Sequence, residues 1–256
     1  MKSSFGLFLK DRFENKIFSG IAITYICLCV GSAVFWAINF TVRNMLLSLL
    51  FCLFIPVIVG FEYALKIRCS GAFLTIILSL AFGAILGTCF NLYSIIPFFD
   101  LLLHGVAGFI FSCLGFALSK VIYKGGGTFF SHLVFAVCFS LTIAVLWEIF
   151  EYFCTIFLAP DMMEDGIVYS IKSYFLSGNH LSALRLDDIT KTVIYYGDGK
   201  TFTIDGYLDL GLGDTMGDVL ICTAFTLIFA IVSGVSNRLG KRFLRIIIPQ
   251  TDFDGA

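Results

Sequence analysis

Apolar residues fall in six long blocks, near residues 17–40, 45–65, 69–92, 101–122, 129–158 and 215–236, with polar residues gathered mostly in the intervals between them. A helix rises about 1.5 Å per residue, so about 20 apolar residues cross the roughly 30 Å hydrocarbon core of a bilayer. Each block meets that length. Barrel strands would be shorter and would alternate apolar with polar positions, and these blocks do neither. The pattern predicts an all-α polytopic membrane protein with about six transmembrane helices. Five of them fill residues 17–158 and the sixth fills 214–236. The one long polar interval, residues 159–213, separates the fifth from the sixth. Inside it, KTVIYYGDGKTFTID (191–205) alternates β-formers around Gly197-Asp198-Gly199, which predicts a β-hairpin. The stretch from Gly166 to Leu176 is expected to form a short helix.

Composition agrees. Charged residues make up 14% of the chain, against about 25% in soluble domains. The net charge of −1 says little about partners, and no segment resembles a nucleic-acid binder, so nucleic acid is not an expected partner. The bilayer is the expected partner. Residues 1–16 show no cleavable signal-peptide pattern. They are expected to lie at the membrane surface as an amphipathic segment, with Phe5, Phe8, Leu9 and Phe13 on one side and Lys10, Arg12 and Lys16 on the other. The nine cysteines sit in or at the edges of the blocks, with no disulfide framework and only Cys27-x-Cys29 as a close pair.

Charge is distributed to one side. Lys2, Lys10, Arg12, Lys16, Lys66, Arg68, Lys120, Lys124, Arg238, Lys241, Arg242 and Arg245 fall in alternate intervals, and the opposite intervals between the first five blocks carry only Arg43. By the positive-inside rule both termini, including the basic tail 237–256, are expected in the cytoplasm, and the loop 159–213 outside.

Against that orientation, three pairs of ionisable residues stand out, because ionisable groups within spans are costly and rare. Asp100 and His104 open the fourth span at i, i+4; Glu148 and Glu151 close the fifth at i, i+3; Asp214 and Asp218 open the sixth at i, i+4. Each spacing puts both members on one helix face. All six are expected at similar depth beneath the outer loop, where the spans offer no Lys or Arg. Five carboxylates and one imidazole cannot all ionise together at low dielectric. Either protons are retained or a cation is bound, and oxygen ligands with one imidazole suit Mg²⁺, Mn²⁺, Fe²⁺ or Zn²⁺. The expected metal ligands are His104, Glu148, Glu151 and Asp218, with Asp100 or Asp214 as base or supporting group. The plainer alternative makes the six interfacial hydrogen-bonders that tie down the loop, with Asp100 and Asp214 as helix N-terminal caps.

Other features read as structural. His132 is expected at an interface near the cytoplasmic end of span five, and Glu62 as a solvated partner of Lys66 at i+4. Gly83 and Gly87, and the stripe Gly105, Gly108, Ser112, Gly115, are expected to admit close helix neighbours. Trp147 and Tyr152 match an outer aromatic belt.

The segments FDLLLHGVAGF, LWEIFEY and GYLDLGLGDTMGDVL resemble a bacterial inner-membrane family of unknown function that includes the YjdF-like proteins. That family carries an Asp-x3-His helix, a Trp-Glu-x2-Glu helix and a late Asp-Thr-x2-Asp segment. Asp100, His104, Glu148, Glu151, Asp214 and Asp218 match it position by position, over residues 98–220. The family's late segment often reads Trp-Asp-Thr-Gln, whereas here Gly213 precedes Asp214 and Met216-Gly217 follow Thr215. A remoter similarity, to VanZ-like proteins, rests on Asp-x3-His alone. The resemblance implies a bacterial plasma membrane location and supplies no reaction. Three functions follow as expectations: a metal-dependent membrane enzyme acting on lipid or envelope substrates, a proton-coupled transporter, or a non-catalytic protein in which the cluster is a structural clasp.

Overall fold

The computed structural model describes residues 5–158, 161–178, 181–240 and 246–252. Lys2, Lys241, Arg242 and Arg245, which enter the charge argument, lie outside the described residues. Among the described residues, six helices are long and apolar enough to cross a membrane: 16–38, 42–65, 71–89, 99–122, 129–157 and 212–238. The chain belongs to two compact units, Met1–Val145 with Asp218–Ala256, and Leu146–Gly217.

In the first unit, α1 (Phe5–Glu14) is separated from α2 (Lys16–Ile38) by Asn15, whose Oδ1 accepts from the amides of Ile17 and Phe18 at 3.0 and 3.1 Å and caps the first span. The second span comes in two pieces, α3 (Val42–Phe51) and α4 (Phe54–Leu65). Pro56 explains the break: it has no N–H for the Cys52 carbonyl and its ring crowds the preceding turn. Lys66, in the left-handed conformation at φ 53°, ends α4. Ser70 then caps α5 (Gly71–Cys89) through the Phe73 amide. The short α6 (Leu92–Ile95) leads to α7 (Phe99–Ile122), and a reciprocal Thr128–Ser131 capping box starts α8 (Phe129–Phe157). The sixth span is α9 (Leu212–Arg238).

The helices pack inside out, as in a protein with lipid for solvent. Large side chains such as Ile17, Ile38, Leu50 and Ile231 are more than half exposed, while Ser32, Ser48, Ser112, Ser119, Ser140 and Thr226 are buried. The small-residue stripe of α7 does what its sequence predicts. A Cβ on Gly108 would stand 2.6 Å from the Cys222 carbonyl oxygen of α9, and one on Gly115 would stand 3.0 Å from the Cα of Ala136 on α8. At that contact the Gly108 carbonyl accepts from Ser112 at 2.7 Å, Ser140 at 2.8 Å and Thr226 at 3.4 Å, joining three spans.

The basic end of this unit differs from expectation in three ways. Arg12 does not face outward with Lys10: it is buried, and its Nε and Nη2 donate to the Glu62 carboxylate, both at 2.8 Å. Glu62 is therefore a buried partner of Arg12 and not a solvated partner of Lys66; it also accepts the Cys69 amide at 2.7 Å. The cause is geometric, since α1 packs back on α4, with Phe5 and Phe8 against Tyr63. The tail also returns: β8 (Gln250–Thr251) pairs antiparallel with β1 (Ile67–Arg68), and Ser70 donates to the Ile246 carbonyl at 2.5 Å. His132 is buried, with Nδ1 2.8 Å from Ser119 Oγ.

The second unit holds the ends of α8 and α9 and the loop between them. The hairpin is where the sequence puts it, β5 (Thr192–Tyr196) pairing with β6 (Lys200–Ile204) across a turn in which Gly197 and Gly199 take φ 52° and 79°. The helix expected over 166–176 is absent. Residues there form β2 (Gly166–Val168), β3 (Ile171–Ser173) and one 3-10 turn (Phe175–Ser177). β3 pairs with β4 (Leu184–Leu186) and β2 with β7 (Tyr207–Asp209). Ile167, Val168 and Ile171 are β-branched, and distant partners give them ladders that local sequence does not show.

Candidate functional site

Asp100 lies in the first turn of α7, where the helix N-terminus favours a carboxylate, and His104 follows one turn later on the same face. Asp218 reaches them from α9, which approaches because Gly105 and Gly108 present no side chain. The Cys222 thiol, one turn below Asp218, donates to the His104 carbonyl at 2.9 Å and fixes the register of the two helices at the site. His104 Nε2 stands 3.5 Å from Asp100 Oδ2 and 3.9 Å from Asp218 Oδ2. One ligand atom from each of the three lies within 4.8 Å of the others. The Asp218 side chain is 1% exposed, His104 10% and Asp100 21%, so the group is deep and opens on the Asp100 side.

Those separations exceed the roughly 2.7–3.2 Å of a direct hydrogen bond. They suit a shared ion. With bonds of about 2.1 Å, neighbouring ligands of a tetrahedral ion stand about 3.4 Å apart and opposed octahedral ligands about 4.2 Å. Two carboxylates and one imidazole are the donor set of a hard or borderline divalent cation.

The sequence names six site residues, and the first unit brings three of them together: Asp100, His104 and Asp218. The others belong to the second unit. Glu148 and Glu151 are buried on consecutive turns of α8. Asp214 accepts the Glu164 amide at 2.9 Å, and nearby Asp209 accepts the Gly213 amide at 2.7 Å, so both carboxylates tie the loop to the start of α9. Cys27 and Cys29 do not form a thiol pair, one being exposed and the other buried.

Below the site the sequence reading missed a polar layer. Asp218, Cys222 and Thr226 repeat at i, i+4, i+8 and are all buried, a spacing legible in the sixth span. Thr226 Oγ1 and Ser140 Oγ are 2.9 Å apart, and both engage the Gly108 carbonyl. Farther toward the basic end Cys113, Phe116, Ala136 and Phe229 are buried together in an apolar plug.

Residues 18–238 match a family described as a predicted membrane protein, DUF2238. The chain belongs to the DUF2238 family. The match spans all three site helices of this DUF2238 protein and most of the first span. No curated protein matches it. No solved structure matches it either.

Proposed function

We propose that this DUF2238 protein binds a divalent cation at the acidic end of its spans and uses it in hydrolysis or group transfer on a lipid or envelope substrate. The carrying observation is the convergence of Asp100, His104 and Asp218 from two spans at separations an ion can bridge. His104 and Asp218 would hold the cation, which would lower the pKa of a bound water, and Asp100, the most exposed of the three, would serve as the group that takes a proton from that water. The sequence assigns Glu148 and Glu151 to the same ion, an assignment that rests on their place at the end of the fifth span. The bonds made by Asp214 favour a positioning role for that residue. The finer likeness to YjdF-like proteins, a bacterial plasma membrane and cytoplasmic termini belong to the same proposal. They rest on the paired motifs and on the distribution of Lys and Arg. The carrier reading gains nothing from the plug of Cys113, Phe116, Ala136 and Phe229.

Elemental analysis of detergent-purified protein tests the site. The expected result is about one equivalent of Mg, Mn, Fe or Zn per chain, lost in His104→Ala and in Asp218→Asn. Protein that stays metal-free after incubation with each of these ions and removal of the excess refutes it. Loss in Glu148→Gln or Glu151→Gln as well extends the ligand set to those residues.

A further inference from the structure

At the basic end of the first unit a cavity of about 260 Å³ opens where the first and third spans begin. We infer that it is a binding site for a phosphate group at the membrane surface, held by Arg12, Arg68 and Asn15. Arg12 is 5% exposed, a costly position for a guanidinium. Its Nε and Nη2 are taken up by Glu62 and by the Cys69 carbonyl, and its Nη1 has no acceptor among the described residues. Arg68 lines the same cavity, and its pairing with Asp11 is half exposed, an arrangement that holds a side chain only weakly. Asn15 spends its Oδ1 on the α2 cap and keeps its Nδ2 as a donor. No carboxylate of the described residues lines the cavity.

Two guanidinium groups and an amide form a donor set for an oxyanion, and arginine suits phosphate by its planar fork. The lining also holds apolar side chains, Ile17 and Phe18 from the first span and Leu74 from the third, beside Ser70 and Gln250. A phospholipid headgroup supplies phosphate beside hydrocarbon, and basic pockets between spans recognise such headgroups. Free inorganic phosphate shares the anionic chemistry but not the apolar neighbour.

Asn15→Asp separates charge from folding, because aspartate keeps both cap bonds and turns the remaining donor into an anionic oxygen. Delipidated protein in detergent is titrated with phosphatidylglycerol, with diacylglycerol of the same acyl chains and with inorganic phosphate, and bound ligand is read by native mass spectrometry. The expected result is retention of phosphatidylglycerol that falls at least about tenfold in Asn15→Asp and in Arg68→Gln, and by only a few-fold in Asn15→Ser, which keeps a cap oxygen, loses one donor and adds no charge. Inorganic phosphate bound with the same variant pattern also supports the site and makes its source soluble. No binding of either ligand, equal binding in all variants, equal retention of the phosphate-free diacylglycerol, or a loss in Asn15→Ser as large as in Asn15→Asp overturns the inference.

Discussion

Replacing Glu62 by glutamine leaves Arg12 charged and 5% exposed with no counter-charge in contact. The native pair is bidentate, with two 2.8 Å bonds, and the Glu62 carboxylate takes the Cys69 amide as well. Removing one member of such a buried pair costs about 3–5 kcal/mol, because the remaining charge keeps its desolvation penalty. Replacing both by methionine removes both charges and leaves the two Cys69 backbone bonds to lose, at about 1 kcal/mol each. Cys69 is a built-in reporter of the opening, since its side chain is buried beside the pair. In a background where Cys69 is the sole thiol, its labelling by a membrane-permeant maleimide tracks the open population when closing is faster than reaction. Glu62→Gln is expected to speed labelling roughly 100- to 4,000-fold, and the double methionine variant by much less. A Glu62→Gln rate within about fivefold of its background, or a double variant as fast as the single, would refute the buried pair as the clamp that holds α1.

Two further outcomes follow from named contacts. Gly108→Val drives a Cβ against the Cys222 backbone, which cannot yield as a side chain does, and should cost about 1–3 kcal/mol or more, whereas Gly234→Ala enters open space and should stay within about 0.5 kcal/mol. Matching thermal midpoints for the two in detergent would contradict this. Burial, then the neighbouring Glu62 carboxylate, pushes the Cys69 thiol above its ordinary range, with Arg12 partly offsetting them. The folded state then holds a proton that the unfolded state releases, so this contribution is full below the usual thiol value of about 8.5 and is lost as pH rises beyond it. Stability curves of the native protein and Cys69→Ser should diverge only on that alkaline side; a difference that favours the native protein increasingly as pH rises would sink the assignment.

The six spans were legible because membrane crossing is written in a local property, about twenty apolar residues in a row, and their ends fall within a few residues of the helices. The hairpin was legible for the same reason, its turn and strands being contiguous. The β2–β7 and β3–β4 pairs were not, since each strand has three residues and a partner 11 to 43 positions away in the chain. Arg12 and Glu62, fifty positions apart, each looked like a surface charge, and only the return of α1 onto α4 buries them. At the candidate site, Asp100 and His104 declared themselves by spacing on one helix. Asp218 was placed beside them by counting spans and signing their ends, an argument that needs no contact information. Ser140 and Thr226 passed as incidental hydroxyls because nothing local marks the Gly108 carbonyl as their common acceptor.

The pairing of β1 with β8 sets a timetable for assembly. Ile67 and Arg68 leave the ribosome roughly 180 residues before their partners Thr251 and Gln250, and at about 5–20 residues per second that interval is on the order of 10–40 s. During it all the later spans must be synthesised while the connection around Ser70 lacks its final strand. Gln250 and Thr251 thus close a seam opened at Ile67 and Arg68. A chain cut after the sixth span would keep every span and leave this seam unsealed.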